Sequence, residues 1–181
     1  MEEALKKLIP ELDLIADGEL KDKVLAVWKE ALELGGWQPD DLKTIPFTLL
    51  IPDCPIGFLD HVRAVTRTAV EAAGVMEKIY GNAIAINRDY LVAGALLHDI
   101  GKLLEYRRQD ETTVKSRRGE LLRHPFTGAA LTFKHDLPDE VTHMVALHAR
   151  EGEGARRSVE AIIITHADFL NYESLKRHLG G

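Results

Sequence analysis

The segment from Asn87 to Lys102 constrains the fold more than any other part of the chain. Tyr90, Leu91, Ala93, Ala95, Leu96 and Leu97 form a stretch apolar nearly all round, so a helix built on it is central, with partners on several sides. Asn87 is placed to cap its start. At its end stand His98 and Asp99, an imidazole beside a carboxylate, both metal ligands by type. Adjacent side chains of a regular helix diverge, so the two face one ion only if the backbone departs from helical geometry, which Gly101 makes easier.

Partners for the central helix lie on both sides in sequence. Leu20, Val24, Val27, Trp28, Ala31 and Leu32 recur at helical spacing before a stop at Gly35-Gly36. Pro39, Pro46, Pro52 and Pro55 forbid a long helix between Trp37 and Gly57, which reads as an ordered connector. From Phe58 to Tyr80 the period is helical again, with a small-residue face at Ala69, Ala72 and Ala73, and Gly81-Asn82 closes it. Beyond a charged segment from Gln109 to Gly119, Pro125 and Pro138 each open a helix. Ser158 caps a last long one after a loop from Arg150 to Arg157. The run Ala161-Ile162-Ile163-Ile164 alone could be a buried strand, but no alternating pattern flanks it. The fold class is therefore all-α, a helical bundle with short connections, and 181 residues fit one domain.

Composition narrows the function classes. A net charge of -6 argues against a sequence-indifferent nucleic-acid binder, which needs a basic surplus to displace counterions. The single cysteine, Cys54, excludes an intrachain disulfide and fits a reducing, cytoplasmic setting. Met1 to Pro10 lacks the apolar run of a signal peptide, and no segment reads as membrane-spanning.

The order His61, then His98-Asp99, then Asp168, all on expected helices, together with the phrase Leu97-His98-Asp99-Ile100-Gly101-Lys102, resembles the signature of the HD superfamily. The likeness runs from Phe58 to Tyr172. Residues 1–57 are then a helical extension of one HD domain covering 1–181, and 58–172 its metal-binding core. The resemblance implies a metal-dependent phosphohydrolase or phosphodiesterase, in which these four residues hold a divalent ion that activates water and polarises a phosphate. His124, in His124-Pro125-Phe126-Thr127-Gly128-Ala129, and His148, after Met144-Val145-Ala146-Leu147, resemble the further ligands of two-metal HD proteins, such as the HD-GYP branch and certain 3'-to-5' exoribonucleases. That likeness implies that Asp99 bridges two ions, with His61, His98 and Asp168 on the first and His124 and His148 on the second. It also implies that Lys102 lies near the substrate phosphate, where an ammonium neutralises charge as it develops. Imidazole mixed with carboxylate suits Mn, Fe, Co, Ni or Zn better than Mg.

Departures from the pattern shape the substrate expectation. His148-Ala149-Arg150-Glu151 lacks the second His of the HD-GYP branch, and no Gly-Tyr-Pro follows, which weakens cyclic-di-GMP as substrate. Residues before Phe58 are too few and too helical for the nucleic-acid-binding module of the exoribonucleases. The expectation is a small phosphorylated substrate of nucleotide type, with nucleic acid unsupported and the oligomeric state unspecified. Two alternatives share the fold: a di-iron centre for oxygen chemistry, and a non-catalytic nucleotide-binding regulatory module.

Some residues weigh for or against this picture on local grounds. Asp168 sits among Ile162, Ile163, Ile164, Ala167, Phe169 and Leu170, where an unpaired carboxylate costs several kcal/mol, roughly, unless a cation meets it. Arg107, Arg108, Lys115, Arg117, Arg118 and Arg123 make a basic excess, but Glu105, Asp110, Glu111 and Glu120 interrupt it, favouring an ordinary solvated face. His166 points away from Asp168. His135, His143 and His178 read as surface or helix-terminal, Cys54 as structural, and Trp28 and Trp37 as core or interface aromatics.

Overall fold

A computed structural model describes residues 1–52 and 54–180, and most of them are helical. In chain order the elements are α1 (Glu2–Leu8), α2 (Gly18–Gly35), α3 (Phe58–Tyr80), α4 (Arg88–Leu97), α5 (Lys102–Glu105), β1 (Tyr106–Gln109), β2 (Thr112–Lys115), α6 (Arg117–Leu121), α7 (His124–Lys134), α8 (Asp139–Leu147) and α9 (Val159–His178). Caps set the long helices where the sequence places them. The Asn87 side chain accepts from the Tyr90 amide and opens α4, Ser158 accepts from Ala161 and opens α9, and α2 ends on Gly36 in the left-handed conformation at φ 73°. The run Ala161 to Ile164 is helical, not a strand.

Every residue of α4 from Leu91 to Leu97 is buried, with α2, α3, α8 and α9 packed around it. Burying each Leu or Val of this helix contributes about 1.5–3 kcal/mol, which makes α4 the axis of the bundle. Gly94 lets α8 approach closely: a Cβ there would meet Met144 Sδ at 2.7 Å.

One feature departs from the sequence-based expectation. The charged segment after Tyr106 contains an antiparallel hairpin, β1 pairing with β2 from Tyr106↔Lys115 to Gln109↔Thr112, so the all-α bundle carries one small ribbon. Its turn puts Asp110 at φ 53°, which aspartate tolerates, and Thr112, Thr113 and Val114 favour the extended strand. At the amino end, α1 and a 3-10 turn at Pro10–Leu14 bury Leu5, Ile9 and Leu12 in the same core as α4. Glu11 is buried there with its carboxylate 3.0 Å from Arg63 Nε and 2.6 Å from Arg67 Nε, pinning this segment to α3.

The connector is held at several points. Trp37 Nε1 donates to Leu103 O at 2.8 Å, Phe58 N donates to Ile45 O at 2.7 Å, and Pro46 bridges to Gly57. These ties lay Phe47 across the end of α4, where the chemical groups gather.

Candidate metal centre

After Leu97 the helix tightens. Ile100 N bonds to Leu97 O at 3.0 Å and Lys102 N to Asp99 O at 2.8 Å, a run of i to i+3 bonds between α4 and α5. This is the departure from helical geometry that lets His98 and Asp99 serve one place. Gly101 contributes differently from the sequence-based expectation: it is right-handed, at φ -63° and ψ -17°, so no special backbone freedom is used. It is needed for space, because a Cβ would lie 2.1 Å from His124 O and 2.6 Å from Thr127 Oγ1. The absent side chain lets the start of α7 rest on the His98-Asp99 turn.

Five elements deliver side chains to that turn. Asp99 is 1% exposed, and its two carboxylate oxygens face different partners. Oδ2 lies 3.4 Å from His61 Nε2 on α3 and 3.4 Å from His98 Nε2. Oδ1 lies 3.2 Å from His124 Nε2 on α7 and 3.7 Å from His148 Nε2 just past α8. Asp168 on α9 joins through His61, with Oδ1 3.0 Å from Nε2. All six residues expected in the centre therefore converge, while His135 pairs with Glu30 at 2.6 Å, His143 Nε2 accepts from Ser158 N at 3.1 Å, and His166 and His178 are exposed.

Proton placement tests whether these donors suit a cation. His98 Nδ1 lies 2.7 Å from Ala95 O and His148 Nδ1 2.8 Å from Val145 O, and a carbonyl only accepts, so each Nδ1 carries the hydrogen. His124 Nδ1 lies 3.1 Å from the Glu105 carboxylate, which fixes the same tautomer. In the neutral rings all three Nε2 atoms then present bare lone pairs toward Asp99, and those of His124 and His148 stand only 3.2 Å apart. Lone pairs turned on one another and on a carboxylate repel unless a positive charge lies among them. Among the described residues the buried His98 Nε2 and His61 Nε2 also lack a well-aligned hydrogen-bond partner. One ligand atom each from His61, His98 and Asp99, and likewise from Asp99, His124 and His148, lies within 4.8 Å of the others, a spacing that can hold a metal ion. The residues fit a divalent cation.

Charges in the centre follow from burial set against neighbours. Burial would raise the Asp99 carboxyl, but the Lys102 and His98 charges outweigh it and hold Asp99 well below the usual carboxylate range. Asp168 is partly buried, which would raise it, yet it is drawn down to about 2 by His61 and His98. Burial pushes His61 down and His124 down to about 4, against the pull of the carboxylates beside them, which keeps both rings neutral and able to donate a lone pair. His98 is buried too, but the Asp99 charge raises it.

Lys102 is no surface lysine. Its Nζ donates to Asp99 Oδ2 at 2.6 Å and to Phe47 O at 2.7 Å, and Asp99 keeps it protonated despite burial. Glu105 has no place in the sequence-based site, yet it takes both the His124 amide, at 2.8 Å, and the His124 ring. A signal for it exists in the sequence: His98, Asp99, Lys102 and Glu105 make a polar stripe at helical spacing through an otherwise apolar segment. The centre opens into a cavity of about 490 Å³ lined by Asp99, Lys102, His124 and Asp168 at its floor, by Leu49, Leu50, Phe169 and Tyr172 on its walls, and by Lys115, Arg123, Arg150 and Lys176. Of the basic excess between the two halves of the site, Lys115 and Arg123 reach this cavity, each exposed and paired with a glutamate; Arg107, Arg108, Arg117 and Arg118 form the expected solvated face.

The family model for the HD domain matches residues 58–172. The chain belongs to the HD domain family. All six converging ligand-type residues fall within the matched HD domain, and Phe47 and the pinned amino-terminal segment fall outside it. The chain is also similar to the dihydroneopterin 2',3'-cyclic phosphate phosphodiesterase of Methanocaldococcus jannaschii, 39% identical over 113 residues, which cover 62% of this chain and 45% of that relative. No solved structure matches the chain. No helix among the described residues is long and apolar enough to cross a membrane.

Proposed function

We propose that this HD domain is a metal-dependent phosphohydrolase that cleaves a phosphodiester of a small nucleotide-derived metabolite. The observation that carries this reading is the division of the Asp99 carboxylate, Oδ2 toward His61 and His98 and Oδ1 toward His124 and His148. His61, His98, Asp99 and Asp168 would hold one divalent ion, and Asp99, His124 and His148 a second. Two divalent ions there supply a nucleophilic water at neutral pH and Lewis acidity toward the phosphoryl oxygens. Nitrogen and oxygen donors in this ratio favour Mn, Fe, Co, Ni or Zn over Mg.

The chain's own groups divide the remaining work. Asp99 and Asp168 bring the negative charge that retains cations. Lys102, charged and anchored at both ends of its ammonium, lines the cavity floor and offsets charge building on the phosphate. Lys115, Arg123, Arg150 and Lys176 give the anionic substrate a cationic approach. A volume of about 490 Å³ suits a nucleotide-sized ester, and the relative from M. jannaschii, named for a 2',3'-cyclic phosphate, supports a cyclic phosphodiester as the first class to try. Residues 1–57 belong to the same folding unit as the HD core, since Leu5, Ile9 and Leu12 enter its hydrophobic cluster. A reducing, cytoplasmic setting suits the free thiol of Cys54.

The test is a turnover assay with Mn²⁺ on nucleoside 2',3'-cyclic phosphates, dihydroneopterin 2',3'-cyclic phosphate and bis(p-nitrophenyl) phosphate. Hydrolysis that a chelator abolishes, Mn²⁺ restores and Asp99→Ala lacks is the expected outcome. Absence of metal-dependent hydrolysis across all of them, or oxygen uptake in its place, contradicts the proposal.

A further inference from the structure

Three of the four clustered histidines have their rings locked by a hydrogen bond from Nδ1: His98 to Ala95 O, His148 to Val145 O, and His124 to Glu105. His61 has no such lock. Among the described residues its Nδ1 is buried without a partner, and the residue is only 1% exposed. What lies against the imidazole instead is the ring of Phe47, with centroids 4.5 Å apart and planes inclined by 27°, a stacked pair. Phe47 is itself fully enclosed, braced edge-on by Tyr172 at 6.3 Å. Its carbonyl oxygen accepts from Lys102 Nζ at 2.7 Å, and the same ammonium lies 5.7 Å from the ring centroid.

We infer that Phe47, which lies outside the residues matched as HD domain, is a positioning residue for the centre: its ring sets the His61 imidazole and its carbonyl anchors Lys102. The inference rests on reading His61 as a metal ligand. Stacking does for His61 what a hydrogen bond does for its three neighbours, so the connector, held at Ile45, Pro46 and Gly57, completes the site from outside the family core.

The experiment titrates Mn²⁺ into the metal-free full chain and into Phe47→Leu, Phe47→Tyr and His61→Ala. In Phe47→Leu the binding step that His61→Ala removes weakens about 10-fold or more, the scale on which orienting groups act, while the other step is unchanged. Phe47→Tyr keeps the ring and restores the affinity, and adding Phe47→Leu to His61→Ala has no further effect. General loosening of the fold would weaken both steps alike. Because Phe47 is buried, a second measurement uses the unsubstituted metal-free protein: proton NMR is expected to show contact between the Phe47 and His61 rings, with His61 ring protons moved upfield by the stacked phenyl. Unchanged affinity in Phe47→Leu, equal loss at both steps, or no ring contact overturns the positioning role alone. No Mn²⁺ bound by the unsubstituted chain overturns the metal reading and this inference with it.

Discussion

The two halves of the centre are built differently. His61 on α3, His98 at the end of α4 and Asp168 on α9 project from the axial helix of the bundle and the two helices packed along it. His124 and His148 come from α7, which rests on the bare surface of Gly101, and from the end of α8, which closes on Gly94; hydrogen bonds to Glu105 and Val145 O aim their rings. In the first half one ring, His98, is held by a hydrogen bond and the other, His61, lies stacked on Phe47; in the second half hydrogen bonds fix the tautomers of both rings. Asp99 belongs to both, which explains why one side chain should matter more than any pair of the others.

The largest expected effect follows. Asp99→Ala removes the carboxylate proposed as the common ligand and should lower the proposed phosphodiester turnover more than about 100-fold, beyond the 10–100-fold typical of losing an orienting partner; steady-state assays with excess Mn²⁺ check it. Glu105→Gln strikes the second half alone. It should weaken one of two metal-binding steps by about 10-fold, seen by calorimetric titration, and leave the step involving His61 intact. If both steps weaken together, the halves are not independent and the contrast between them fails.

Gly101→Ala probes the seam. Its methyl group would press on His124 O and Thr127 Oγ1, so we expect a loss of about 1–3 kcal/mol in urea unfolding, with weaker binding on the His124 side. Stability equal to the parent's would mean that α7 can back away at no cost.

The smallest effect concerns pH. In the metal-free protein the His124 ring should stay neutral down to about 4, burial holding it below the usual histidine value of 6.5. A histidine depressed in the fold is protonated first in the unfolded chain. Its contribution to stability is therefore complete above about 6.5 and lost as pH falls toward 4. His98 has the opposite sign: raised by Asp99, it contributes below its unfolded value and loses that contribution as pH rises through the folded one. A nitrogen-15 NMR titration of the ring nitrogens resolves the two, and coincident midpoints would erase the distinction.

Much of this was legible in the sequence because it is written in short-range signals. Asn87 and Ser158 cap α4 and α9 where their spacing from the apolar runs says they should, and prolines mark the starts of α7 and α8. The six ligand-type residues were readable as ordered motifs. The hairpin after Tyr106 was not, because two four-residue strands among charges give too short an alternation to outweigh the charge pattern. Glu105 was legible only as the end of a polar stripe; its role was not, because its partner is 19 residues away and the fold alone puts the His124 amide and ring beside it. Phe47 lies 14 positions before His61 in a proline-rich connector, where nothing local hints at a stacked pair.

The most direct measurement is elemental analysis of protein purified without chelator, for the parent, His148→Ala and Asp99→Ala. A centre bridged by Asp99 should hold about two divalent ions per chain in the parent, about one in His148→Ala and close to none in Asp99→Ala. A parent free of divalent metal after incubation with Mn²⁺, or an Asp99→Ala variant with the full complement, would contradict it.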